Sequence, residues 1–313
     1  MTDPAALAEV VGKAPCLPSL GPIHPDEDAA AIWSELLATT EAGEYLPYDK
    51  DRVWGGRKTA RILTKAIVDS DAYVLIPVLN QRGAGTVDLY CYGNLERARR
   101  TGGDVGAKLA ADHGVARARL VWFGKLPDRH AQRTVRVQLK TFVRGSNSCT
   151  DSEHVAVCVE QPPASASGFR AFAVNAGEGF PFLAERIDQG IDDGPVLTVK
   201  DSMKVVGAIG PMRTLPDSRG RLRLLGQYFA VLPEFRARGF GRALWRAAMR
   251  WGSANDAAYQ LLQTELDSPS DRICRADGLS DLGLMHTRVL ALLIIGFPVL
   301  SEPRGLLVCL CRW

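Results

Sequence analysis

The segment Gln227–Arg250, QYFAVLPEFRARGFGRALWRAAMR, changes character twice along its length. Gln227 to Leu232 is a strand-like run, and Pro233 stops it because proline brings no amide donor to a ladder. A basic loop follows, made of Arg236, Ala237, Arg238, Gly239, Phe240 and Gly241. Beyond it Leu244, Ala247, Ala248 and Trp251 recur at i, i+3, i+4 and i+7, the apolar stripe of a helix. Strand, glycine-bearing loop and helix start, in that order, gather free backbone N–H groups at a positive helix end. Glycine permits close approach of a ligand, and the neighbouring arginines supply charge. This chemistry suits a phosphate or pyrophosphate. The loop is not a Walker loop, since no Gly-Lys-Ser/Thr follows, and it lacks the third glycine of the dinucleotide fingerprint. A tight turn followed by a solvated arginine face is the plainer alternative.

Charge is concentrated in the same region. Between Arg213 and Arg250 stand nine Arg against only Asp217 and Glu234, whereas the whole chain of 313 residues carries +3. That total is too small to indicate a nucleic-acid partner, and no stacking aromatics interleave with the arginines. Hydrophobic residues at 46% and charged residues at 23% are ordinary globular values. The length suggests two domains. The first residues show no basic region followed by an apolar run, so a cytoplasmic location is expected. The longest apolar stretch, Val289–Leu300, is interrupted by Gly296 and Pro298 and is too short for a membrane span. Seven cysteines without a CxxC pair fit reduced thiols, and five scattered histidines without HxxxH or HExxH argue against a metal site.

Helices are expected at Asp26–Thr39, Lys58–Val68, Val105–His113, Pro181–Gln189, Gly241–Trp251 and Ser270–Asp277. Strands are expected at Ala72–Leu79, Thr86–Tyr92, Arg119–Phe123, Thr134–Val143, Phe169–Val174, Val196–Val199, Lys204–Gly210, Leu222–Val231 and Tyr259–Leu266. The apolar end would add Val289–Phe297 and Gly305–Cys311. This is an α+β pattern with a mixed sheet. Gln161–Gly168, QPPASASG, has linker composition and places a domain boundary between residues 160 and 161.

The loop residues carry a family likeness. Arg236-Ala237-Arg238-Gly239-Phe240-Gly241 satisfies Gln/Arg-x-x-Gly-x-Gly/Ala, and Val231-x-Pro233-x-x-Arg236 matches the usual approach to it. The segment resembles the GCN5-related N-acetyltransferases (GNAT), and the likeness covers about Lys204 to Leu284, more loosely back to Phe169. It implies a GNAT-like fold in residues 161–313 and use of acetyl-CoA as acyl donor, without a metal. It also implies that backbone amides from Arg236 to Gly241, with Arg242 beside them, hold a pyrophosphate. The strand around Phe229, Ala230 and Val231 would bond the pantetheine arm through its main chain.

A second family motif, Asn-x-x-Ala-x-x-Leu-Tyr-x-x-x-Gly-Phe, aligns with Asp267, Ser270, Ile273, Cys274, Gly278 and Leu279: the spacing is kept and the residues differ. Cys274 stands where many relatives carry the Tyr that protonates the departing thiolate. A thiol is acidic enough to take that role, and packing inside a helix is the alternative. An attacking amine must be neutral, and Glu265 near the end of its strand is the candidate base, with Asp267 a weaker one. Gln227 and Tyr228 are candidates for lining the acceptor cleft, and His286 for relaying protons. The resemblance thus implies transfer of acetyl to a primary amine by direct attack, the acceptor being a small molecule or a peptide. A non-catalytic acyl-CoA sensor or scaffold is the alternative, and a homodimer is left open. Residues 1–160 show a strand, Arg99–Gly103, a helix and a strand in the same order. They are read as an α/β domain, either a degenerate second copy or a specificity or dimerisation domain.

Overall fold

A computed structural model describes residues 4–40, 42–143, 159–161, 167–177 and 179–292. The first part holds α1 (Pro4–Val11), β1 (Cys16–Leu17), β2 (Gly21–Pro22), α2 (Ala29–Thr40), β3 (Ala60–Ile62), β4 (Val68–Asp69), β5 (Tyr73–Asn80), β6 (Thr86–Gly93), α3 (Leu95–Asp112), β7 (Arg117–Gly124) and β8 (Arg133–Thr141). Then come β9 (Val159–Gln161), α4 (Ser167–Ala176), α5 (Gly179–Asp188), β10 (Val196–Asp201), β11 (Lys204–Gly210), β12 (Thr214–Pro216), β13 (Leu222–Leu224) and β14 (Tyr228–Val231). The series ends with α6 (Phe240–Ala254), β15 (Tyr259–Glu265), α7 (Pro269–Ala276) and β16 (Ser280–Leu292).

The described residues form two compact units. One contains the chain up to Val137 and takes it up again at Asp281; the other runs from Gln138 to Ser280. This division differs from the expected boundary at 160/161. The reason is β16, which turns back and pairs antiparallel with β7, from Leu284 opposite Gly124 to Leu292 opposite Arg117. The segment of linker composition lies mostly outside the described residues.

In the first unit β5 and β6 form an antiparallel pair, and β6 then runs parallel to β7 from Thr86–Arg117 to Cys91–Trp122. A parallel pair needs a crossover, and α3 supplies it. Its buried face is Ala98, Gly102, Gly106 and Ala110. A Cβ at Gly106 would stand 2.9 Å from that of Ala118, so glycine is what lets the helix lie this close to the sheet. The helix begins ten residues before the expected Val105. Asn94 caps it by accepting from Arg97 N at 3.0 Å, and the Arg/Gly segment lies inside it.

Two other expectations change type. Lys58–Val68 is no helix; β3, a single 3-10 turn and β4 occupy it, and β3 and β4 both pair with β5. Phe169–Val174 is no strand but part of α4, whose buried Phe169, Phe172, Ala173 and Ala176 follow i, i+3, i+4, i+7. The expected strand Val289–Phe297 is covered by β16 as far as Leu292; the remainder and Gly305–Cys311 lie outside the described residues.

In the second unit the order β14-β11-β10-β9 forms one antiparallel sheet. β12 and β13 form a hairpin, and β13 runs parallel to β15. The expected strand Leu222–Val231 is therefore two strands, each with a different partner. The stripe of α6 packs Leu244, Trp245, Ala247 and Ala248 into a core with Phe229, Val231, Leu262 and Cys274.

Candidate functional site

The parting of β13 and β14 creates the site. Leu224 is the last residue paired with β15, opposite Gln260. From Tyr228 onward the chain pairs with β11 instead, and β14 is the edge strand of its sheet among the described residues. Strands that begin side by side thus separate toward their carboxyl ends. One edge of β14 is left with main-chain groups available to an extended partner, the chemistry of strand addition. Phe229, Ala230 and Val231 are all buried, so β14 can offer such a partner its main chain and not these side chains.

Side chains close the narrow end of the split. Gln260 Nε2 donates to Leu225 O at 3.1 Å and to Gln227 Oε1 at 2.8 Å, and Gln227 Nε2 donates back to Leu225 O. Below them Asp217 ties the β12–β13 turn to β15. It accepts from the Arg219 and Arg221 amides, the Arg221 guanidinium and the Tyr259 hydroxyl, each at 2.9 Å. Burial alone would raise its pKa, but these four donors hold the carboxyl below the usual aspartate range. Tyr228 packs its ring against Phe180 at 6.0 Å. A Cβ at Gly179 would overlap that ring, so Tyr228 serves the core of its unit.

The basic loop sits at the carboxyl end of β14. After a 3-10 turn at Pro233–Phe235, Ala237 takes φ +61° and Gly239 φ +84°. Gly239 is the N-cap of α6 and makes no side-chain capping bond. The first-turn amides of Phe240, Gly241 and Arg242 therefore have no side-chain acceptor supplied by the cap. A Cβ at Gly239 would meet nothing within 4 Å, so the space in front of the cap is open. Gly241 faces inward, with Phe229 Cζ 3.6 Å from where its Cβ would be. Arg236 donates from Nε to Val231 O at 3.2 Å, while its Nη2 is buried without a partner among the described residues. Arg238 reaches Asp201 at 3.4 Å and lies over the Phe235 ring, and Arg242 is exposed. An uncapped helix start, an alternating left-handed loop and a buried guanidinium Nη2 without a partner among the described residues together fit a phosphate-bearing ligand.

The remaining candidates separate. Glu265 is exposed at the carboxyl end of β15, and its side chain makes no hydrogen bond or ion pair among the described residues. Asp267 is exposed with φ +59°. Cys274 is 0% exposed within the core that α6 covers, which favours packing over acid chemistry. Its neighbour Asp271 is equally buried and accepts from Gln138 Nε2, Thr264 Oγ1 and Asp267 N, so it fixes the turn after β15. His286 belongs to the other unit, on β16. Gln227, a candidate for lining the acceptor cleft, is instead held in the bridge to Gln260. The signal for this bridge is Gln227 just before β14 and Gln260 between Tyr259 and Leu261 on β15.

The acetyltransferase (GNAT) family model matches residues 169–272. The carboxyl-terminal half carries a GNAT acetyltransferase domain. Among solved structures, a GCN5-related N-acetyltransferase from Sphaerobacter thermophilus aligns over 92% of this chain and 93% of its own, at 15% identity and TM-score 0.50. A tandem GNAT protein from the clavulanic acid biosynthesis pathway aligns over 83% and 94%, at 12% identity and TM-score 0.47. A GNAT-family acetyltransferase from Colwellia psychrerythraea aligns over 82% and 96%, at 10% identity and TM-score 0.45. No curated protein matches the sequence. The first of these alignments speaks for fold alone: a mixed α+β architecture of GNAT type. Among the described residues no helix is long and apolar enough to cross a membrane, and no group of His, Cys, Asp and Glu could hold a metal ion.

Proposed function

We propose that the GNAT domain binds acetyl-CoA and transfers its acetyl group to a primary amine. The observation that carries this reading is the parting of β14 from β15 directly beside an uncapped helix start flanked by Arg236, Arg238 and Arg242. The amides of Phe240, Gly241 and Arg242 and the Arg236 guanidinium hold the pyrophosphate. The free edge of β14 bonds the pantetheine arm and orients the thioester along the split. Glu265 takes up the proton that the amine sheds, as its nitrogen bonds the acyl carbon and the carbon–sulfur bond breaks. The thiolate, itself a fair leaving group, collects its proton from water. The acceptor is a small amine or a peptide amino group.

Isothermal titration with acetyl-CoA tests the donor site. Gly239→Val forces a β-branched side chain into φ +84°, and Gly241→Phe crowds Phe229 and Val231. Each is expected to weaken binding by about tenfold or more. Unchanged affinity in both would sink the assignment. Turnover is read as free thiol released with a panel of amines. The burial of Cys274 favours one other reading, a non-catalytic acyl-CoA sensor, because no acid then stands ready at that position. Binding without thiol release across the panel would select that reading.

A further inference from the structure

The first unit contains a cavity of about 770 Å³ where β6 and β7 stop pairing. Val10, Ala14, Leu95, Trp122 and Phe123 give it apolar walls, and Lys125, Asp128 and His286 bring charge and polarity. Its size is that of a small-molecule site. Among the described residues no basic glycine loop stands beside it. β6 passes through Gly93 and Asn94 straight into α3, and the Asn94 side chain already occupies the helix start. A pyrophosphate-bearing ligand therefore finds no cradle here.

One buried lining atom, on His286, has no hydrogen-bond partner among the described residues. His286 is 1% exposed, its ring lies 5.4 Å from that of Trp122, and its Nδ1 meets Thr134 Oγ1 at 3.0 Å. Its Nε2 has no hydrogen-bond partner among the described residues. Burial lowers the imidazole pKa more than nearby Asp128 raises it, so the ring is neutral near pH 7. The Leu126 carbonyl stands on the Nε2 side and favours a proton there, although the contact falls short of hydrogen-bond geometry. The Thr134 hydroxyl then donates to Nδ1, and Nε2–H is a buried donor that the poorly aligned Leu126 carbonyl leaves short of a full hydrogen bond.

The other charges are mostly engaged. Asp128 accepts from Trp122 Nε1 at 3.1 Å and from His130 N at 2.8 Å. Lys13 pairs with Glu9. Lys125 is exposed and makes no ion pair among the described residues. We infer that this cavity is a ligand site in its own right. It takes a small molecule with an apolar, aromatic or branched body and a carboxylate head that accepts from His286 Nε2 and is drawn in by Lys125. A neutral amide of the same shape makes the His286 bond without the attraction of Lys125, so it binds more weakly.

The probes are 3-phenylpropionate and 3-phenylpropionamide, titrated into the full chain and followed by ligand-observed NMR. The carboxylate is expected to bind saturably and several-fold more tightly than the amide. His286→Phe should weaken both by about tenfold, the worth of one buried hydrogen bond. Lys125→Ser should erase the preference for the carboxylate. Val10→Trp, which fills the cavity from a half-exposed helix position, should block both probes while leaving thermal unfolding close to that of the parent chain, and so serves if His286→Phe fails to fold. Saturating acetyl-CoA should displace neither probe. Absence of saturable binding by either probe would overturn the inference. So would displacement by acetyl-CoA, or full binding by Val10→Trp.

Discussion

Gln260 Nε2 donates to Gln227 Oε1 at 2.8 Å, across the point where two neighbouring strands lose their backbone pairing. Both side chains are buried, so this bond and the one to Leu225 O stand in for ladder bonds that the separating strands cannot make. Gln260→Leu takes away the donor to Gln227 Oε1 and one of the two donors to the Leu225 carbonyl. We expect a loss of about 1–3 kcal/mol in urea unfolding, the cost of buried polar groups left unpaired. Acetyl-CoA affinity should fall as well, because the width of the split is no longer held. A variant of unchanged stability would show that the bridge does not hold the strands.

Arg236 and Arg238 sit two residues apart and should contribute unequally. Arg238 already shares Asp201 and the Phe235 ring, whereas Arg236 Nη2 is buried and unpaired among the described residues. Arg236→Met is expected to weaken acetyl-CoA binding by about tenfold, a charge-assisted bond of about 1.5 kcal/mol. Arg238→Ala should cost no more than a few-fold, as for an exposed pair. Isothermal titration at two salt concentrations checks the order. The reverse order would mean that the guanidinium of Arg236 serves only the end of β14.

Cys274 gives a third test. A fully buried thiol packed beneath α6 behaves as a small apolar group. Cys274→Ala should lower stability by about 1 kcal/mol or somewhat more. Thiol release per folded molecule should stay within about twofold of the parent. A collapse of turnover without loss of stability would restore an acid role to this residue.

Legibility in the sequence followed the physics of each signal. The loop from Arg236 to Gly241 was readable because backbone conformation and charge there are dictated locally, by a left-handed glycine and by arginines next to it. β11 coincides with the expected strand Lys204–Gly210, since its pattern is bounded by turns. The split was not readable: Leu222–Val231 looks like one strand, and only long-range pairing with β11 and β15 divides it. α4 replaces the expected strand Phe169–Val174 because the buried set, Phe169, Phe172, Ala173 and Ala176, follows the helical period. The beginning of α3 was hidden for a different reason. Gly102 and Gly103 suggest a loop, yet the glycine that the close helix–sheet contact requires is Gly106, and that requirement appears only when the sheet is present.

Asp217 makes the base of the split sensitive to acid. Its pKa is depressed in the folded chain by the Arg221 and Arg219 amides, the Tyr259 hydroxyl and the Arg221 side chain, against the opposing effect of burial. A carboxyl with a lowered folded pKa stabilises the fold fully above its unfolded value of about 3.9 and loses that contribution as pH falls through the folded value. Asp217→Asn turns an amide N–H₂ toward groups that donate, so at pH 7 it should unfold more easily by about 1–3 kcal/mol. The parent must protonate Asp217 in acid and the variant need not. The stability gap between them should therefore narrow as pH is lowered below about 4. Urea titrations of both chains at pH 7, 5, 4 and 3.5 measure it. A gap that is constant with pH, or that widens in acid, would show that the charge of Asp217 is not what holds β12, β13 and β15 together.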